Sequence, residues 1–244
     1  MAALIRVGSI DDFSSSIASG RAQVVAAGVR TLDVSGEATD RSPLDFTISP
    51  ENRGLSLKQL ILNANYPGWF QRWFNSSLDI YFLAWAWDMK GVYLYPAARM
   101  GPEKAIIELQ GGGSRTYIGD GALLFPPRKI TAGLALRIQV WESNQDIREF
   151  GKVMTAVAKL VERSELNVLL TSGIALATGG SIAAVAAAQK AATELAKAIG
   201  NALTNIGDEQ VDFFEGYFSA AQDWTVGTEQ HDGPGCSIVL NRIQ

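Results

Sequence analysis

The chain has 244 residues, 47% of them apolar, and a formal net charge of −4, which suits a folded unit with a sizeable core and excludes extensive disorder. Lys plus Arg number 21 against 25 Asp plus Glu, so the basic surplus that phosphate binding wants is absent and nucleic acid is not expected as a partner. One cysteine, Cys236, and one histidine, His231, exclude an internal disulfide and every zinc site built on several Cys and His ligands.

The N-terminus, MAALIRVGSIDDF, holds no apolar run of signal-peptide length. No conventional secretory signal is expected, and the location is cytoplasmic or reached by a route without one. Ser9, with Asp12 three positions on, can cap a helix over 10–19 that buries Phe13 and Ile17. The Val-rich run at 23–34 predicts one or two strands. The polar segment 35–54, with two prolines, predicts a loop. LSLKQLILN at 55–63 reads as a strand, with Leu55, Leu57, Gln59 and Ile61 on one face and Leu60 and Leu62 on the other. After a loop at 66–77, SLDIYFLAWAWD carries large side chains on both faces. That predicts a central strand, or one whose second face meets another layer. DMKG then turns the chain into VYLYP, a hairpin partner.

Shorter strands follow at 105–110, 115–119, 122–126 and 134–142, joined by GGGS, GDG and PPRK turns. Strands at such spacing predict a sandwich or barrel. GGGS precedes no Lys-Ser or Lys-Thr, so it reads as a hairpin turn and not a phosphate loop. At Ser143 the period changes. Ile147, Phe150, Met154, Val157 and Val161 form one apolar stripe, predicting a helix over 145–163. Residues 166–189 carry no charge. The stretch is long enough to span a bilayer, but its Ala, Gly, Ser and Thr content favours packed helices over membrane contact. Gly179 and Gly180 can break it, and a second stripe runs from Ile182 through Leu195 to Ile206. The chain returns to strands at 211–220 and 236–243, with a loop between. The expected fold class is mainly β (α+β): an antiparallel β-sandwich in a single domain over 1–244, with an inserted Ala-rich helical pair at about 145–206.

Five carboxylates near strand ends, Asp88, Glu142, Asp146, Asp208 and Asp212, are the candidate metal set, with Glu209 beside them. If their loops converge, their oxygens suit a hard cation such as calcium. The competing role for these acids is to cap helices and keep turns soluble. The segment VWESNQD at 140–146 resembles the loop pattern of calcium-binding C2-type sandwiches, without the repeated Asp-x-Asp of that family. The resemblance implies a calcium site at the loop end of the sandwich.

Half of the aromatic residues lie between Tyr66 and Tyr95. Among them Trp69, Phe70, Trp73 and Phe74, with Arg72, form the candidate contact set for a glycan or a membrane interface. The competing reading is a short helix that plugs the open end of the sandwich. His231 and Cys236 have no identifiable orienting partner, so no catalytic residue is assigned. Asp79, Asp88, Glu108 and Glu142 lie on or beside strands, but spacing alone cannot give the separation glycoside hydrolysis needs.

The leading expectation is a non-enzymatic protein acting at a membrane surface, pore-forming or toxin-like, with lipid as partner and calcium as cofactor. A carbohydrate-binding module stacking sugars on Trp69 and Trp73 is one alternative. A structural or assembly protein that buries the aromatic patch in an oligomer is the other.

Overall fold

The aromatic strand β3 (Leu78–Asp88) is central because both of its faces are apolar and both need cover. One neighbour is β4 (Gly91–Tyr95), reached through the Met89–Lys90 turn that the sequence predicts. The other is β8 (Gly133–Glu142), paired from Ile80↔Glu142 to Trp87↔Ala135. The computed structural model describes residues 3–7, 48–66, 77–97, 100–144, 147–171 and 182–244. The expected helix at 10–19, the strands at 23–34, the Trp-rich contact set Trp69, Phe70, Arg72, Trp73 and Phe74, the carboxylate Asp146 and the Gly179–Gly180 break lie outside them.

The protein has a mixed α/β fold in which two antiparallel sheets pack together in a sandwich-like arrangement. The first sheet has the order β1-β9-β8-β3-β4, using β1 (Ala3–Val7) and β9 (Glu209–Ser219), and β5 (Ile107–Leu109) also pairs with β3. The second has the order β10-β11-β2-β6, using β10 (Gly227–Asp232), β11 (Cys236–Ile243), β2 (Arg53–Leu62) and β6 (Ser114–Thr116). Here β7 (Ala122–Arg128) also pairs with β2. Between the sheets lies an apolar core that includes Leu55, Leu60, Phe82, Leu136, Ile138, Phe214 and Ile238. Each such side chain contributes about 1.5–3 kcal/mol by leaving water.

Strict alternation along β2 would put Leu57 and Leu60 on opposite faces. In the structure Leu55, Leu57, Leu60 and Leu62 all enter the inter-sheet core. The reason is a bulge at Lys58. Gln59 pairs with Val239 and Leu57 with Leu240, so β2 carries one residue more than β11 at that point. The extra residue shifts the phase of alternation and returns all four leucines to one face.

Between β8 and β9 run three described helices where the sequence predicts a pair: α2 (Ile147–Arg163), α3 (Glu165–Thr171) and α4 (Ile182–Thr204). Ser164 ends α2, donating its hydroxyl to the Val161 carbonyl, and caps α3 by accepting from Asn167 N–H. The stripe Phe150, Met154, Val157 and Val161 packs with Ala192, Leu195 and Ile199 against Tyr81, Trp85 and Trp141 on the outer face of the first sheet. No helix among the described residues is long and apolar enough to cross a membrane. Two shorter expectations also change. Residues 102–105 form a single helical turn, α1 (Pro102–Ala105), ahead of a three-residue β5. The expected loop at 222–235 contains β10, whose polar GTEQHD alternation offers no apolar face to read.

Candidate functional site

The described candidate carboxylates, Asp88, Glu142, Asp208 and Asp212, do not all meet at one point. Ile80, near the start of β3, pairs with Glu142, whereas Asp88 ends the same strand eight residues on. At strand rise that is on the order of 25 Å away. Asp88 is buried and held by Arg128, and its second oxygen, Oδ2, has no hydrogen-bond partner among the described residues. Asp208 accepts from the Tyr81 hydroxyl at 2.6 Å and from Asn144 N–H at 3.1 Å. Tyr81 belongs to the helix-facing side of the sheet. Glu142 instead accepts from the hydroxyl of Tyr66, which packs on the inter-sheet core. Asp212 accepts from the backbone N–H groups of Phe213, Gly235 and Cys236 at 2.9–3.1 Å.

Burial holds the carboxyls of Glu142, Asp208 and Asp212 above the usual range, and their hydrogen-bond donors pull them back. Glu209, paired across from Glu142, adds to the rise at Glu142. These acids work as ties between loops and strands. No group of three or more Asp, Glu, His or Cys among the described residues is arranged to hold a metal ion.

His231 and Cys236 sit on adjacent strands of the β10–β11 hairpin, where His231 pairs with Ile238. Cys236 is fully buried, and burial together with the nearby Asp212 pushes its thiol up, away from the thiolate. Asp79 and Glu108 face each other across β3 and β5. GGGS forms the turn between β5 and β6, with Gly112 in the left-handed region at φ 81°.

A cleft of about 530 Å³ opens where the edges of the two sheets separate. One wall comes from the end of β4 and the α1 turn, with Leu94, Tyr95, Met100, Glu103 and Lys104. The other comes from β6 and β7, with Arg115, Tyr117 and Leu123. Phe82 of the central strand supports both tyrosines. Its ring stacks on Tyr95 at 4.6 Å between centroids and meets Tyr117 edge-on at 6.1 Å. Arg115 and Tyr117 are two residues apart in extended chain, so they share a face. Burial raises the Tyr117 hydroxyl above its ordinary value, Tyr95 adds to this, and the Arg115 guanidinium draws it back. Burial raises Tyr95 as well. Neither hydroxyl finds a hydrogen-bond partner among the described residues, although both tyrosines are half-buried.

The loop from β6 to β7 borders this cleft and is fixed from below. Lys58 donates to the Gly119 carbonyl, and Ser56 donates to the Asp120 carbonyl. Asn241 adds a bond to the same Asp120 carbonyl at 3.0 Å. Gly121 adopts φ 108°, and a Cβ there would lie 2.5 Å from the Leu57 carbonyl oxygen. At the tip Ile118 is 98% exposed, and nearby Leu123 is 50% exposed.

Sequence reasoning places Tyr95 in the aromatic-rich region but does not single out Tyr117. The two come from different sheets, and the edge that unites them has no local periodicity. No family model matches the chain, and no curated protein matches it.

Proposed function

We propose that the chain is a non-catalytic binding protein that holds a glycan in the cleft between β4 and β6–β7. The observation that carries this reading is the pair of tyrosines, braced by Phe82, whose hydroxyls have no partner among the described residues inside a cleft of about 530 Å³. That volume lies within the usual range for small-ligand sites. A phenol ring offers an apolar face to the C–H side of a sugar and a hydroxyl to its edge. In this reading the helices α2, α3 and α4 belong to an insertion between β8 and β9 that packs on the outer face of the first sheet.

Titration with a panel of oligosaccharides, followed by amide chemical shifts, tests the proposal. Shifts are expected at Tyr95, Lys104, Arg115, Tyr117 and Leu123. Tyr117→Phe, which removes only the hydroxyl, is expected to weaken binding several-fold, with an unchanged melting temperature. A panel that moves none of these amides overturns the reading.

One observation favours a second reading, docking at a membrane surface. The pinned loop and the start of β7 present Ile118 and Leu123 to solvent beside Lys58 and Arg115. Vesicle flotation with anionic lipid, with and without calcium, tests it. Ile118→Asp is expected to abolish flotation, and a chain that never floats removes the reading.

A further inference from the structure

Each wall of the cleft supplies one tyrosine and one cation. Tyr95 and Lys104 come from the β4–α1 side, and Arg115 and Tyr117 from the β6 side. We propose that the cleft selects sugars bearing a carboxylate, with Arg115 and Lys104 as the specificity-determining residues. The inference rests on the glycan reading above and deepens it by naming the charge of the ligand.

Neither Arg115 nor Lys104 forms an ion pair with a described residue, so both cations are available. Arg115 lines the same wall of the cleft as Tyr117, two residues away in extended chain. A planar fork of N–H donors there matches a carboxylate in bidentate geometry. Lys104 closes from the opposite wall as a point charge.

The third charged group of the cleft, Glu103, limits what can enter. Its carboxylate folds back over Gly101, into the space a Cβ would take there. Two cations against one carboxylate leave a single positive charge. That balance suits a monoanion such as a uronic acid better than a doubly charged phosphate. The Glu103 oxygens accept from sugar hydroxyls, which a carboxylated sugar still carries on its remaining carbons. The ring of the sugar meets Tyr95 and Tyr117 while its carboxylate reaches Arg115, so the two recognition elements act on one ligand.

The test compares galacturonic and glucuronic acid oligosaccharides with their methyl esters, which keep the ring and remove the charge. Isothermal titration is run at low and at high salt. The free acids are expected to bind about tenfold tighter than the esters, and the preference is expected to shrink as salt rises. Arg115→Gln and Lys104→Gln should each erase most of the preference for acid over ester, with the melting temperature unchanged. Equal affinity for acid and ester, with shifts still mapped to the cleft, overturns the charge selection and leaves the glycan reading standing. Binding of neither form overturns both.

Discussion

The two faces of the first sheet are buried by different chemistry. On the inner face Phe82, Leu136, Ile138, Val140 and Phe214 meet the second sheet, and the contact is apolar. On the outer face β8 presents Arg137, Gln139 and Trp141 to the helices. Arg137 is 1% exposed, pairs with Glu215 on β9 and donates to Thr193 of α4 at 3.1 Å. Gln139 donates to the Ala196 carbonyl of the same helix at 3.2 Å and accepts from the Trp141 indole. Apolar contact is strong but non-directional. A buried polar pair adds little net stability, because losing water costs about what the pair returns. It can still say which residue of a helix sits over which strand. The comparison therefore assigns stability to the inner face and register to the outer one.

The largest expected effects measure each face by truncation. Phe214→Ala is expected to cost about 3–5 kcal/mol in urea unfolding, through lost burial and a cavity. Arg137→Ala is expected to cost a similar ~3–5 kcal/mol, because Glu215, only 13% exposed, loses its cation. Truncation alone thus does not separate the faces. The double change Arg137→Met with Glu215→Leu does. Global stability is expected to hold or to rise by about 1–4 kcal/mol. The amides of α4 around Thr193 are nevertheless expected to exchange faster, because the bond from Arg137, one of the two polar contacts that place the helix, is gone. Unchanged exchange in α4 would mean that packing alone sets the register, and the comparison would fail. Thr193→Val is a milder version. It removes one bond to Arg137 and is expected to cost about 1 kcal/mol.

The same contrast explains what the sequence could be read for. Side chains that follow a local period were legible. The runs in β3, β8 and β11 and the stripe of α2 mark their elements to within about two residues, the usual uncertainty of element ends. What depends on pairing was not. The bulge at Lys58 moves Leu60 and Leu62 to the inner face, and only the partner strand β11 reveals it. Asp88 and Glu142 look alike as strand-end acids, and antiparallel pairing sends them to opposite ends of the sheet. Arg137 and Gln139 break the apolar run of β8, a visible signal of a polar contact on one face. The cleft joins residues from two sheets through Phe82, so no window of sequence contains it.

Asp88 offers the smallest effect and the cleanest sign. It lies at the end of the sheet away from Glu142. Its Oδ1 accepts from Lys90 N–H at 2.9 Å and from Arg128, while Oδ2 is buried without a partner among the described residues. Burial is the largest influence and holds the carboxyl above its ordinary 3.8, against the pull of the Lys90 N–H and of Arg128. The native state therefore binds this proton more tightly than the unfolded chain does. The contribution is fully present below about pH 4 and is lost as pH rises through the elevated native value. In Asp88→Asn the amide oxygen can keep both donors, and the group no longer titrates. Relative to the parent chain, the cost of the substitution is expected to be smallest at pH 7–8, where the parent carries the buried charge. It should grow as pH falls toward 4, because only the parent gains from protonation. Urea unfolding of the two chains across that range measures the difference directly. A cost that grows toward neutral pH would show that pairing with Arg128 outweighs burial here. The ion pair at this end of the sheet would then stabilise the charged carboxylate outright, unlike the near-balanced pair proposed on the outer face.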